Sequence, residues 1–533
     1  MKSKPSHGID PNNIDPNNNG TNHQPPLDIV LLVLDTQRAD RLSCYGYPLN
    51  TSPNLDAMAQ NATRFQKAIA PAQWTIPSHA SMFTGLYPWE HQMHQSYSYL
   101  PEQFPTLAER LRAGGYYTAG FCNNPLVGII NNGLRRGFQS FLNYSGLLTE
   151  RPNQAGDRPG LVGRYRQFFK RCLAQVLNRV QDAFARSDFL LSLSFTPLMV
   201  PIWQTALGFK GNTAKSLGDA AQLLIDRPNV GPNQPIFTFI NLMGTHMPYH
   251  PPHSYIKQFA PHVLQDRSAQ HYLKNFNSDV YGWLAPLAGA LDAQQKATLD
   301  GMYDAEVAHQ DQQLGQFFQQ LKTSGRWDHT MIVICSDHGE HLGEKDLMGH
   351  SLSIYNELVQ VPLIIHDPTG ALPVGTVNET IVSTRRLFHT ILQAAGIANP
   401  QEQALALQQS SESAPVDRVF AEAIPPQNVI NLLKKRQPDL IRDRACDQPR
   451  RAVWAGSHKL IETGEETVEL YDIVNDPTES LNLCDILPEN VEVLQDCLIG
   501  LSQGKQTPEL QRAAGFDDPE VQRRLRDLGY LEE

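Results

Sequence analysis

DIVLLVLD (28–35) is a run of apolar residues closed by an aspartate, and MIVICSDHGE (331–340) repeats the theme much later in the chain. Neither run alternates polar with apolar residues. An uninterrupted apolar segment of strand length is buried on both faces, as the central strands of a parallel sheet are. Working outward, YYTAGF (116–121), PIFTFINLM (235–243) and VPLIIHD (361–367) read the same way. Helical patterns fall between them at 53–61, 103–114, 298–323 and 384–396. Strands alternating with helices predict an α/β fold around a mostly parallel sheet. After residue 450 the pattern changes to the short strands RAVWAG, HKLIET and TVELYD. These predict a smaller antiparallel subdomain, with a terminal helix over 508–528.

The chain has 533 residues, 41% hydrophobic and 19% charged, which is ordinary for a globular protein with a large core. A net charge of −11 argues against nucleic acid as a partner. Seven cysteines without a C-x-x-C pair give neither a disulfide framework nor a cysteine zinc site. Residues 1–26 repeat IDPNN and are rich in Asn and Pro, the composition of a disordered tail. No apolar signal segment follows, and no stretch is long enough to span a bilayer. The expectation is a cytoplasmic protein. A catalytic domain is expected over 27–400, with a helical insertion at about 145–215. The C-terminal subdomain is expected over 401–533, opening with a polar loop at 401–416. Within the insertion, 161–186 is basic with helical spacing and 189–203 is apolar. That reads either as a surface-packed helix or as peripheral membrane contact through 161–203.

In doubly wound sheets, ligands bind at the carboxyl ends of the strands. Asp35 ends one apolar strand; Asp337 and His338 end another. Two carboxylates and an imidazole make a candidate divalent metal site, although an aspartate at a strand end also serves as a helix cap. Thr75 opens a helix start in WTIPSHASMFTG (74–85). It reads as an N-cap or as a hydroxyl beside a metal, where a lowered pKa would make it a nucleophile.

Taken together, DTQRADRLSCYGY (35–47), TSPNLDAMAQNATRFQKAIAPAQWTIPSHASMFTGLYP (51–88), PTLAERLRAGGYYTA (105–119), NLMGTHMPY (241–249), MYDAEVAHQDQQLG (302–315), SDHGEHLGEKDLMGHS (336–351), YNELVQVPLII (355–365) and ELYDIVNDPTESLNL (469–483) resemble the sulfatase family of the alkaline phosphatase superfamily. The resemblance implies an alkaline phosphatase-like three-layer sandwich around a large mixed sheet, with a C-terminal antiparallel α+β subdomain. It implies that Asp35, Asp337 and His338 hold one divalent metal ion, and that Thr75 is the nucleophile and also touches the metal. It makes His246 a substrate-facing histidine and places His350 against the transferred group. Arg38 and Asp40 would organise the first loop.

The departures from the family pattern are specific. The C/S-x-P-x-R motif of formylglycine sulfatases reads Thr75-Ile76-Pro77-Ser78-His79, so His79 replaces the arginine. The usual second aspartate is Thr36, and His338 stands where an amide is common. The expected Gly-Lys-x-His segment is replaced by Gly120-Phe121-Cys122-Asn123-Asn124. Threonine cannot become an aldehyde, because its carbinol carbon also bears a methyl group. Water, or an acceptor alcohol, must therefore take the group from a threonine ester. That favours phosphate mono- or diesters, or phosphonate esters, over sulfate; imidazole in place of a carboxylate and an amide in the ligand set the resemblance implies favours Mn²⁺ or Zn²⁺ over Ca²⁺. Asn123 or Asn124 could donate to a phosphoryl oxygen; a loop Asn is also a common turn residue. The leading expectation is thus a hydrolase of an anionic small-molecule or lipid ester. A phosphotransferase moving a lipid headgroup-type unit, and a non-catalytic binding protein, are the alternatives.

Overall fold

The computed structural model describes residues 27–145, 153–154, 210–278, 286–409, 418–502 and 511–512. Its main sheet contains β1 (Asp28–Leu34), β2 (Thr63–Ile69), β3 (Tyr117–Cys122), β4 (Ser140–Asn143), β5 (Asn153–Gln154), β6 (Ile236–Leu242), β7 (Thr330–Cys335), β8 (Gln360–His366) and β9 (Thr376–Ser383). The strand order is β9-β2-β8-β7-β1-β6-β3-β4-β5. β1 is central and parallel to both neighbours, with Val33 level with Asn241 on one side and Cys335 on the other. Its side chains divide between two cores. Ile29, Leu31 and Val33 enter one face cluster; Val30, Leu32 and Leu34 enter the other. That two-sided burial is why DIVLLVL carries no alternation, and it makes the domain a three-layer sandwich.

The sheet is mostly parallel, as expected, with two of its strands reversed. β8 runs antiparallel to both β7 and β2, and β5 is antiparallel to β4. VPLIIHD gave no sign of this, because a strand buried on both faces is apolar whichever way it runs. The helix expected from 298 begins at Ala293, where Asp292 and Gln295 form a capping box. The polar stretch after 400 is not all loop: Pro400–Leu405 is a short helix capped by Asn399 and Glu402.

The C-terminal sheet is four-stranded and antiparallel: β10 (Val419–Ala423), β11 (Arg450–Ala455), β12 (His458–Thr463) and β13 (Thr467–Asp472). A helix, Pro488–Ser502, follows it. The terminal helix expected over 508–528 is corrected at Gln511–Arg512, which pair as extended chain with Ser98–Tyr99. Backbone groups used in that pairing are not available to a helix. The rest of that stretch, the tail 1–26 and the segment 161–203 lie outside the described residues. Within the expected helical insertion, Asn153–Gln154 are strand, and the next helix among the described residues is Thr213–Asp226. No helix among the described residues is long and apolar enough to cross a membrane.

Candidate active site

The parallel register of β1 and β7 carries Asp35 and Asp337 off the same end of the sheet, side by side. His338 follows directly. One ligand atom from each of these residues lies within 4.8 Å of the others, and all three residues are buried. The helix Thr75–Thr84 runs beneath them with every residue buried. Its N-cap is Trp74, so Thr75 is the first helical residue and not the cap. Thr75 Oγ1 lies 3.4 Å from His338 Nε2 and 3.4 Å from Asn124 Nδ2. Ser78 Oγ donates to the Asp337 carbonyl at 2.6 Å and ties the helix to the ligand loop.

The donor set fits a metal ion. Asp35 Oδ2 accepts from Asn124 Nδ2 at 2.7 Å and from Asn241 Nδ2 at 3.3 Å. Asp337 Oδ1 accepts the backbone N–H groups of Thr36 at 3.3 Å and His338 at 3.0 Å. The other oxygen of each carboxylate, Asp35 Oδ1 and Asp337 Oδ2, is buried without a hydrogen-bond donor. His338 Nδ1 donates to the Gly339 carbonyl at 2.9 Å, which fixes the tautomer and leaves the Nε2 lone pair towards the carboxylates. Nε2 is 3.9 Å from Asp35 Oδ1 and 3.4 Å from Asp337 Oδ2. Orphaned buried oxygens beside a preset imidazole are the arrangement a bound cation completes. Burial, with the neighbouring Asp337 carboxylate, holds the Asp35 carboxyl up at about 7, and burial does the same to Asp337. Among the described residues no lysine or arginine pairs with either.

The remaining expected residues divide into two groups. His79 lies within the helix, one turn after Thr75, donating Nδ1 to the Thr75 carbonyl at 2.9 Å, with its ring edge-on to Phe83 and Phe239. Burial pushes its pKa down to about 3, so it is a neutral prop and not a replacement for the arginine's charge. His246 and His350 lie on the other side of His338. Their ring centroids are 5.1 Å apart, and His350 is 4.5 Å from His338. His246 donates Nδ1 to the Met247 carbonyl at 2.6 Å, and His350 donates Nδ1 to Glu340 Oε1 at 2.7 Å. Burial holds His246 down at about 3 and lowers His350 as well.

Asn124 joins the site; Asn123 is fully buried beside Gly211, and its amide has no hydrogen-bond partner. Thr36 adds no carboxylate, since its hydroxyl donates to the Asp35 carbonyl at 2.7 Å. Arg38 brackets Asp40 with two hydrogen bonds, at 2.9 and 2.7 Å, and reaches Glu344 at 2.9 Å, organising the first loop.

Three site residues escaped the sequence reading: Asn241, Glu340 and Lys210. Asn241 is the penultimate residue of β6, a lone amide at the carboxyl end of an apolar strand, so the strand-end rule could have found it. Glu340 stands in the quoted SDHGE run. Lys210 donates to the Gly244 carbonyl at 2.8 Å and to Glu306 at 2.7 Å, and bears on the loop that carries His246. Nothing in its local sequence marks it.

Comparison with known proteins agrees with this architecture. The family model described as Sulfatase matches residues 28–397, and the chain belongs to that family. An arylsulfatase of Clostridium perfringens is 23% identical over 388 residues, covering 70% of this chain and 75% of the relative. The crystal structure of a phosphonate monoester hydrolase of Agrobacterium radiobacter superposes with a TM-score of 0.60 at 20% identity, covering 89% of this chain and 95% of the other. A structure in complex with its substrate D-glucosamine-2-N,6-O-disulfate superposes with a TM-score of 0.61 at 16% identity, covering 90% and 98%. The sandwich is thus the sulfatase fold, and the chain is an ester hydrolase by family.

Proposed function

We propose that this chain hydrolyses an anionic ester with Thr75 as its nucleophile, and that phosphate mono- or diesters or phosphonate esters are preferred over sulfate esters. The observation that carries this reading is the placement of Thr75 Oγ1. It lies 3.4 Å from His338 Nε2, which is clustered with the carboxylates of Asp35 and Asp337, and 3.4 Å from Asn124 Nδ2. Asp35, Asp337, His338 and Thr75 would hold one divalent ion, which would lower the Thr75 pKa and offset charge on the transferred group. Each carboxylate offers it a single oxygen, a donor set that suits Zn²⁺ or Mn²⁺ better than Ca²⁺.

Thr75 Oγ, its proton released to solvent as the ion would lower its pKa, would form the bond to phosphorus as the ester oxygen departs with the bonding pair and takes up a proton. The Thr75 position at the helix N-terminus favours the anionic group arriving there. Asn124 donates to a phosphoryl oxygen. His246 and His350, neutral as they stand, would have to take up a proton as the anionic substrate binds; as imidazolium they would offset the charge of the transferred group or protonate the leaving oxygen. Water then cleaves the threonine ester. A formylglycine hydrate would instead release its group by collapsing to the aldehyde, an exit that the methyl group of threonine closes. Phosphonate monoester hydrolases among the structural neighbours are compatible with this preference.

The test is turnover of matched nitrophenyl sulfate, phosphate, phosphodiester and phenylphosphonate by metal-stripped protein with Zn²⁺, Mn²⁺ or Ca²⁺ restored. Phosphorus esters should be cleaved faster, with a requirement for metal and for Thr75. Faster sulfate cleavage that needs Thr75 would overturn the preference.

A further inference from the structure

Resting on the metal reading just given, we infer that Asn241 and Asn124 are positioning residues that decide which metal the site accepts, by withholding one oxygen of Asp35 from the ion. Both amides aim their NH₂ groups at Asp35 Oδ2, at 3.3 and 2.7 Å. The orientation of each is fixed independently. Asn124 Oδ1 accepts the backbone N–H of Leu126 at 2.9 Å, and Asn241 Oδ1 accepts the backbone N–H of Asn124 at 3.1 Å. A backbone N–H can only donate, so neither amide can turn over without facing donor against donor. All three residues are fully buried, so water does not compete for Oδ2.

The consequence is a count of donors. Asp35 presents Oδ1 alone. Asp337 presents Oδ2 alone, because two backbone N–H groups occupy its other oxygen. With His338 Nε2 and Thr75 Oγ1 the protein offers four atoms. Four donors including an imidazole suit a tetrahedral Zn²⁺-type ion; Ca²⁺ takes six to eight oxygens, often from bidentate carboxylates. Freeing Asp35 Oδ2 would let that carboxylate bind through both oxygens. The two cases differ in how the second oxygen is held. At Asp337 the lock is backbone and cannot be mutated away. At Asp35 it is two side chains, which makes metal preference adjustable there.

The experiment replaces Asn241 and Asn124 singly and together by Ser. At Asn124, Ser keeps a helix-cap acceptor for Leu126 while removing the amide. Calorimetric affinities for Zn²⁺ and Ca²⁺ alone are measured on metal-stripped full-length protein. The visible absorption of the Co²⁺-loaded protein reports coordination number, since four-coordinate Co²⁺ absorbs far more strongly than five- or six-coordinate Co²⁺. The expected result is a strong Co²⁺ spectrum in the parent, weakened in the double variant. The ratio of Ca²⁺ to Zn²⁺ dissociation constants should fall about tenfold or more. A general loss of rigidity would weaken both ions alike and leave that ratio unmoved.

A parent that binds Co²⁺ with a weak spectrum overturns the inference. So does an unchanged ratio in variants that still bind metal. Should Asn241→Ser fail to fold by circular dichroism, Asn124→Ser alone carries the stronger of the two contacts and decides by the same ratio. Asp35→Asn separates the layers. If it leaves metal affinity intact, the metal reading itself fails. If it abolishes binding while the Ser variants keep the parent ratio, only the selectivity inference fails.

Discussion

Two clusters of buried charge in this molecule are alike in burial and opposite in how their polar atoms are answered. In the C-terminal sheet, Lys459 and Glu479 are both fully buried. Lys459 Nζ donates to Glu479 Oε1 at 2.5 Å, to the Ile354 carbonyl at 2.7 Å and to Asn356 Oδ1 at 3.2 Å. Glu479 Oε2 accepts the backbone N–H of Asn356 at 2.7 Å. All three ammonium protons are used, so the cluster is complete as it stands. At the sheet end, by contrast, Asp35 Oδ1 and Asp337 Oδ2 are buried and unanswered. A closed cluster joins the small sheet to the loop after β7; the open one leaves two carboxylate oxygens without a donor among the described residues. The difference lies in donor bookkeeping and not in burial, which both share.

The largest effects should come from breaking each cluster at its defining atom. Thr75→Ala should lower kcat on the best ester on the order of 10³-fold or more. The thermal midpoint should stay close to the parent's, because the Thr75 side chain makes only long contacts at 3.4 Å. Lys459→Met should do the reverse. Leaving Glu479 charged and buried without its partner costs about 3–5 kcal/mol, read as a lower denaturation midpoint. Turnover per folded molecule should hold, and adding Glu479→Gln should return part of the stability. A Lys459→Met variant as stable as the parent would remove the distinction between the clusters.

A pH scan separates the clusters more finely. Burial raises the carboxyls of Asp35 and Asp337 from 3.8 to about 7. Between those values the folded metal-free protein binds more protons than the unfolded chain. Stability from these two groups is therefore present below about pH 4 and is lost as pH rises through 7. Metal reverses the sign, because it favours the ionised carboxylates. The buried neutral histidines add a rise of stability with pH up to about their ordinary value of 6.5, so the readout is the difference: from pH 5 to pH 8 the metal-stripped protein should gain less, or lose more, thermal stability than the protein with saturating Zn²⁺. Identical slopes with and without metal would mean that the two aspartates are not the ligands.

The proposed metal ligands were legible because each stands at the end of an apolar run, where a parallel sheet brings such ends together. Thr75 and the histidines were legible through family resemblance, and their neutral state was not. His79 occupies an arginine's position, yet its environment of Phe83 and Phe239 exists only in the fold. Asn241 and Lys210 show two kinds of blindness. Asn241 was within reach of the strand-end rule, but an amide reads as neutral and was passed over. Lys210 acts through a contact with Gly244 that depends on where a long insertion returns to the sheet, which local pattern does not encode. The direction of β8 was hidden for a third reason, since burial on both faces erases the periodicity that would distinguish neighbours.

The smallest effect tests a boundary rather than a charge. Residues after 400 looked like polar loop, yet Asn399 accepts the N–H of Glu402 at 2.9 Å while Glu402 accepts the N–H of Asn399 at 2.8 Å. The same Glu402 takes two hydrogen bonds from Arg110, at 2.6 and 3.1 Å, so this short helix is fastened to the helix Leu107–Ala113 behind the sheet. Asn399→Ala removes one cap acceptor and should cost roughly 1 kcal/mol. Neither open nor closed cluster is touched, so kcat and metal affinity should match the parent's while the denaturation midpoint falls slightly. A change in turnover from so distant a cap would show that the sheet transmits strain to its catalytic end. The clean separation between a closed and an open cluster would then no longer describe the molecule.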